Sequence, residues 1–163
     1  METRELSASN LAERLLAGAE VFASAAAIRY LIVHYTATDP QCQTYTPTML
    51  EYDHRSRGWQ GAGYHFYATT SGELYQLRGL QEVGAHCRGY NRQSLALAYE
   101  GGYDCISGMA WNSLNQAQRT ALQEVIDILH TLFPDALLRG HRDMPGAQTL
   151  CPCLNVNQEF TFN

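Results

Sequence analysis

The sequence has no surplus of basic charge. Lys and Arg number 11 against 16 Asp and Glu, a formal charge of −5 at pH 7. A protein that grips nucleic acid regardless of sequence needs a basic face to displace counterions, so the balance argues against that class. No apolar run approaches the roughly 20 residues of a membrane helix, so no membrane insertion is expected. Repeats and low-complexity tracts are also missing, and charged residues are few, at 17% against 45% hydrophobic. That composition is globular, not disordered, and 163 residues fit one domain. Nor is there an even set of cysteines. Cys42, Cys87, Cys105, Cys151 and Cys153 cannot all pair within one chain, and a chain this long buries a core without staples. Most of them read as small buried hydrophobes or free thiols. A secretory signal is not expected either. Glu2, Arg4 and Glu5 open the chain and Glu13, Arg14 and Glu20 interrupt any apolar core, although Ala23-Ser24-Ala25 has the small residues of a cleavage site.

What is present is aromatic surface and turn residues, with ten Tyr and 13 Gly, as expected where a groove meets a ligand. Residues 1–27 read as an extension carrying one helix, with Asn10 and Glu13 as a capping box and Leu11, Leu15 and Phe22 near one face. Ile28–Val33 is a β-branched, apolar run and predicts a buried central strand that ends at His34. Residues 36–46 are loop by composition. Thr46-Pro47 opens a helix that runs to about Arg57 and stops at Gly58. Tyr64–Ala68 and Glu73–Arg78 flank Thr69-Thr70-Ser71-Gly72 as a hairpin, and Leu95–Glu100 is a further strand. Asn115 caps a helix with Leu122, Val125, Leu129 and Leu132 on one stripe, and Ala136–Leu138 is a brief strand before Gly140-His141. The fold class is α/β: one domain, residues 28–163, with a central sheet flanked by helices.

His34 and His141 both stand where a strand gives way to a loop, the place where sites gather in open α/β sheets. Ten residues past His141 lies Cys151. Two imidazoles and one thiolate are a zinc set, and three protein ligands leave a fourth position for water. Spacing alone carries this weakly, since core or surface histidines are the alternative, and either Cys151 or Cys153 fits as the thiolate. His65 follows Tyr64 on a strand, so it is expected on the opposite face with a structural role. His54 and His130 read as surface or packing residues, Arg142 and Asp143 as loop-holding residues, and Trp59 and Trp111 as core or rim.

The stretches IVHYTAT (31–37), GAGYHFY (61–67), GAHCRGYN (84–91), YEGGYD (99–104) and GHRDMPGAQTLCPC (140–153) follow in this order. Together they resemble the zinc-dependent N-acetylmuramoyl-L-alanine amidases, which include amidase-type phage lysozymes and animal peptidoglycan-recognition amidases. The resemblance runs from about Ile28 to Val156 and implies a mixed sheet with a zinc site at the strand ends in an open groove. It implies one Zn2+ per chain on His34, His141 and Cys151, since the zinc cysteine of the family precedes proline. Tyr64 and Thr149 match catalytic positions, and His86 and Asn91 match a loop lining the substrate groove. Thr149 stands where some phage enzymes have lysine, so a hydrogen bond replaces a full charge at the oxyanion. No obvious carboxylic acid stands ready to protonate the leaving amine. Glu100 is nearest by order, though a structural strand-end role suits it better.

The implied activity is hydrolysis of the amide between N-acetylmuramic acid and the L-alanine of the stem peptide, by a monomer acting on peptidoglycan or muropeptides. Two rivals remain: a binding module that recognises peptidoglycan without cleaving it, and a cysteine hydrolase with Cys151 as nucleophile. Cys151 is followed by Pro152 and lacks the helix N-terminus that activates a thiol. Synthesis in the cytoplasm with action on the cell wall after lysis or dedicated delivery is expected, with cytoplasmic recycling of muropeptides as the alternative. Any protein inhibitor is left unspecified.

Overall fold

The computed structural model describes residues 4–6 and 28–162. The helix expected after Asn10 lies outside the described residues. Among the described residues there are eight strands: β1 (Arg4–Leu6), β2 (Tyr30–Tyr35), β3 (Phe66–Ala68), β4 (Leu74–Gln76), β5 (Ser94–Tyr99), β6 (Tyr103–Asp104), β7 (Met109–Ala110) and β8 (Leu137–Gly140). Helices are α1 (Pro47–Ser56), α2 (Gln116–Leu132) and the single turn α3 (Val156–Glu159). Six strands form one mixed sheet in the order β1-β4-β3-β5-β2-β8, and β6 with β7 makes a separate hairpin. β2 lies between two parallel neighbours, β5 and β8, which explains its unbroken apolar run.

The ends of the helices follow the expected chemistry. The Thr46 side chain accepts from the Met49 amide and Pro47 occupies the first turn of α1. Asn115 and Gln118 form a reciprocal capping box on α2. Arg4–Leu6 adds an antiparallel edge strand against β4, so part of the extension joins the sheet of the domain. Three residues offer no periodicity to read, which is why this strand was not anticipated.

Alternation along the strands sorts the core into two layers. Leu31, Val33, Leu95, Leu97, Tyr99, Phe66 and Ala68 pack with Leu122, Val125, Ile126 and Leu129 of α2. Tyr67 and Ala98 face the other way, onto Tyr45 and onto Leu50 of α1. Ile32 shares that second side with Cys87 and Met144. His34, two residues on from Ile32, therefore leaves the sheet on the face opposite α2. β3 begins at Phe66, two residues later than expected, because His65 takes over the ladder: its Nδ1 accepts the Ala96 amide of β5 at 3.1 Å, and its Nε2 meets the Glu82 carbonyl at 2.7 Å. Burial lowers His65 to about 4, so the ring is neutral and structural.

Glu100 ends β5 as a buried clamp. Its carboxylate accepts the Tyr45 amide at 2.8 Å, the Thr70 amide at 2.8 Å and the Thr70 hydroxyl at 2.9 Å. The Gln118 side chain binds its carbonyl, tying α2 to the same point. The disulfide Cys42–Cys105 fastens the loop after β2 to the β6–β7 hairpin, a pairing across 63 residues that spacing does not reveal. Glu100→Ala should cost about 1–3 kcal/mol for the buried Tyr45 amide left without an acceptor, while Glu100→Gln keeps an acceptor and loses less. Denaturant midpoints at unchanged slope measure both, and equal stability of Glu100→Ala and the parent contradicts the clamp.

Candidate metal centre and groove

The parallel register pairs Val33 with Gly140, so the next residues, His34 and His141, leave adjacent strands side by side. Their ring centroids lie 4.8 Å apart. The third donor arrives from the 149–153 segment, which packs against β8 only because residue 140 is glycine. A Cβ there would stand 2.9 Å from Pro152 Cδ and 2.9 Å from an Asp143 carboxylate oxygen. The segment is anchored at several points. Arg142 N–H donates to the Cys151 carbonyl at 2.7 Å, Tyr99 O–H to the Pro152 carbonyl at 2.6 Å, and Cys151 N–H to Thr149 Oγ1 at 3.1 Å. Asp143 accepts the Gly140 amide at 2.9 Å, which supports the loop-holding part expected of it.

One donor atom each from His34, His141 and Cys151 lies within 4.8 Å of the others. Cys151 Sγ is 3.6 Å from His34 Nδ1. A tetrahedral zinc with sulfur near 2.3 Å and nitrogen near 2.05 Å sets those two atoms about 3.6 Å apart, so this pair is spaced for that ion. Burial and the neighbouring His86 and His141 hold His34 well below its ordinary value, and burial lowers His141, so both rings keep a lone pair for a cation. Burial pushes the Cys151 thiol up to about 12, with only the Tyr35 amide at 3.3 Å opposing it. A nucleophilic cysteine needs the reverse shift, so the protein surroundings alone do not activate this thiol for attack.

Cys153 is outside this set. Its N–H donates to the Leu150 carbonyl at 2.7 Å and its φ is 63°, so the chain turns immediately after Pro152. A second group joins half-buried Asp39 with exposed Cys42 and Cys105, and its two sulfurs are bonded to each other in the disulfide.

A cavity of about 270 Å³ opens over the centre, lined by His34, His141, Cys151, Tyr64, Thr149 and His86 among others. The Tyr64 hydroxyl donates to the Tyr35 carbonyl at a long 3.4 Å, and burial raises its pKa, so it stays protonated. His86 is turned toward the centre: its Nδ1 lies 2.8 Å from His34 Nε2. Asn91 stands behind it instead of lining the cavity, with its side-chain oxygen accepting the His86 and Cys87 amides at 2.9 Å each. Glu100 is likewise absent from this lining.

His54, read from the sequence as a surface or packing residue, packs beneath this cavity and helps line it. It is buried four positions after Leu50 on α1, and its ring packs against Trp59 at 4.8 Å and Tyr64 at 5.1 Å. Its Nδ1 accepts the Gly63 amide at 2.7 Å, which fixes the turn before Tyr64, and burial lowers it to about 4. The i,i+4 spacing from Leu50 was the available signal.

The N-acetylmuramoyl-L-alanine amidase family model matches residues 24–153. The chain belongs to that family. It is 28% identical over 133 residues to the endolysin of Escherichia phage T7, covering 82% of this chain and 85% of the endolysin. Among solved structures it resembles the N-acetylmuramoyl-L-alanine amidase LysCS from Clostridium intestinale, with a TM-score of 0.66 and 28% identity over 82% of this chain and 77% of that one. It also resembles a complex of the peptidoglycan recognition proteins LCa and LCx with bound tracheal cytotoxin, at a TM-score of 0.59 and 26% identity over 77% and 75% of the two chains.

The two thiols of the CPC segment separate experimentally. Cys151→Ser should lose metal binding, and Cys153→Ser should keep it, in a stoichiometry measurement on purified protein. Loss in Cys153→Ser with retention in Cys151→Ser overturns the ligand set.

Proposed function

We propose that this chain hydrolyses the amide between the lactyl group of N-acetylmuramic acid and the L-alanine of the stem peptide, using one Zn2+ held by His34, His141 and Cys151. The observation that carries this is the convergence of three buried or half-buried N and S donors with the Tyr64 and Thr149 hydroxyls in one open cavity. When bound, the ion would activate water for attack and polarise the amide carbonyl. Tyr64, kept protonated by burial, offers a hydrogen-bond donor to the oxyanion that develops on the substrate. Thr149 Oγ1 already accepts the Cys151 amide, so its own proton is free to point into the cavity as a second donor. His54 holds Tyr64 in place through ring packing and the Gly63 amide.

The partner we assign is peptidoglycan or its muropeptides, supported by the family match and by the tracheal cytotoxin bound to the related recognition proteins. We assign the action to the cell wall, outside the cytoplasmic membrane, and the Cys42–Cys105 disulfide supports an oxidising compartment. Recognition without cleavage is the second reading, since the related recognition proteins LCa and LCx bind tracheal cytotoxin. The complete three-donor set favours catalysis over it.

Digestion of purified sacculi decides between them. Amidase action frees the L-alanine amino group without exposing new sugar reducing ends, stops with a chelator and returns with zinc. Tyr64→Phe and Thr149→Ala should retain zinc and each lose on the order of 10²–10³ in rate. Full activity in a metal-free preparation, or binding of muropeptide with no new amino groups from the zinc-loaded protein, contradicts the proposal.

A further inference from the structure

We propose that the backbone carbonyl of Tyr90 selects which nitrogen of His34 faces the metal centre, through a relay of three hydrogen bonds over Ser94 and His86. The relay begins where Ser94 Oγ donates to the Tyr90 carbonyl at 2.7 Å. A carbonyl only accepts, so the single hydroxyl proton of Ser94 is committed there. Ser94 Oγ also lies 3.1 Å from His86 Nε2, and with its proton spent it must accept at that contact. His86 therefore carries its proton on Nε2. Its ring is packed between His34, at 4.9 Å, and His65, at 6.2 Å between centroids. The other nitrogen, Nδ1, is left bare. It sits 2.8 Å from His34 Nε2, so His34 donates from Nε2 and leaves its own Nδ1 bare. That Nδ1 is the atom 3.6 Å from Cys151 Sγ.

Each link is fixed by backbone structure. Ser94 is the first residue of β5, paired with Tyr30 across the sheet and buried. The turn that carries His86 and Tyr90 is closed by Tyr90 N–H to the Cys87 carbonyl at 3.0 Å and by Asn91 receiving two amides. His86 and Ser94 are thus positioning residues. They touch no metal, and they set the tautomer and the ring angle of a ligand, as the outer partners of metal-bound histidines commonly do. Both ring nitrogens of His86 are engaged in the relay.

The tautomer assignment stands apart from the zinc reading, while its consequence for metal affinity rests on it. Long-range proton–nitrogen correlation spectra of the histidine-labelled full chain read the tautomers directly, before and after zinc is added. His34 and His86 should both be Nε2–H tautomers in the metal-free protein, and should remain so with zinc. In parallel, competition with a chromophoric chelator measures zinc affinity. His86→Leu should weaken it about 10–100-fold. His86→Asn, whose side-chain oxygen can stand where Nδ1 stood, should recover most of the loss. Ser94→Ala should leave zinc bound but give His86 a mixture of tautomers. An Nδ1–H tautomer on His86 in the parent protein overturns the relay, as does unchanged zinc affinity in a folded His86→Leu. A parent protein that binds no zinc yet shows the two Nε2–H tautomers overturns the zinc reading and leaves the relay intact.

Discussion

The parallel pairing of β2 with β8 is the constraint on which the site depends. Pairing of Val33 with Gly140 brings His34 and His141 out of the sheet at the same edge and height. An antiparallel β8 would send its chain away from His34 at that point. The glycine at the end of β8 then lets Pro152 approach, and Cys151 follows into the space between the rings. One register, one missing Cβ and one turn thus gather donors separated by 117 residues in the chain, His34 and Cys151.

Burial gives this cluster its chemistry. Three groups that would prefer to be neutral out of water are held together, with His34 well below and Cys151 well above their ordinary values. Without a cation the arrangement is a neutral thiol beside neutral imidazoles. A divalent ion reverses the balance for the thiol by stabilising its anion, while the imidazoles already present lone pairs. The same burial keeps Tyr64 protonated as a donor, so a single cause prepares ligands and hydrogen-bond donors alike.

Much of this was legible in the chain. The apolar run before His34, the Thr46-Pro47 cap and the Asn115 cap each have a local physical cause, and α1 and α2 begin where those caps stand. The mixed sheet and the family came from motifs in register, and His34, His141 and Cys151 do meet. What escaped depends on contacts remote in sequence. His86 and Asn91 belong to one loop, yet one turns to His34 and the other ties down the backbone behind it. Nothing local separates those two fates. The strand Arg4–Leu6 and the Cys42–Cys105 pairing are likewise tertiary events in segments too short or too irregular to announce themselves, whereas the structural strand-end role expected of Glu100 is the one its tie to Tyr45 serves. His54, read as a surface or packing residue, does pack, and its phase with Leu50 carries it inward to the cavity.

The central claim is that this chain holds one catalytic zinc on two imidazoles and one thiolate. X-ray absorption at the zinc edge, on protein loaded to its binding stoichiometry, tests it most directly. The account predicts one zinc per chain with one sulfur at about 2.3 Å, two imidazole nitrogens at about 2.0–2.1 Å and one further light ligand. A spectrum with two sulfurs, which would bring Cys153 into a closed site, or with none, would contradict it.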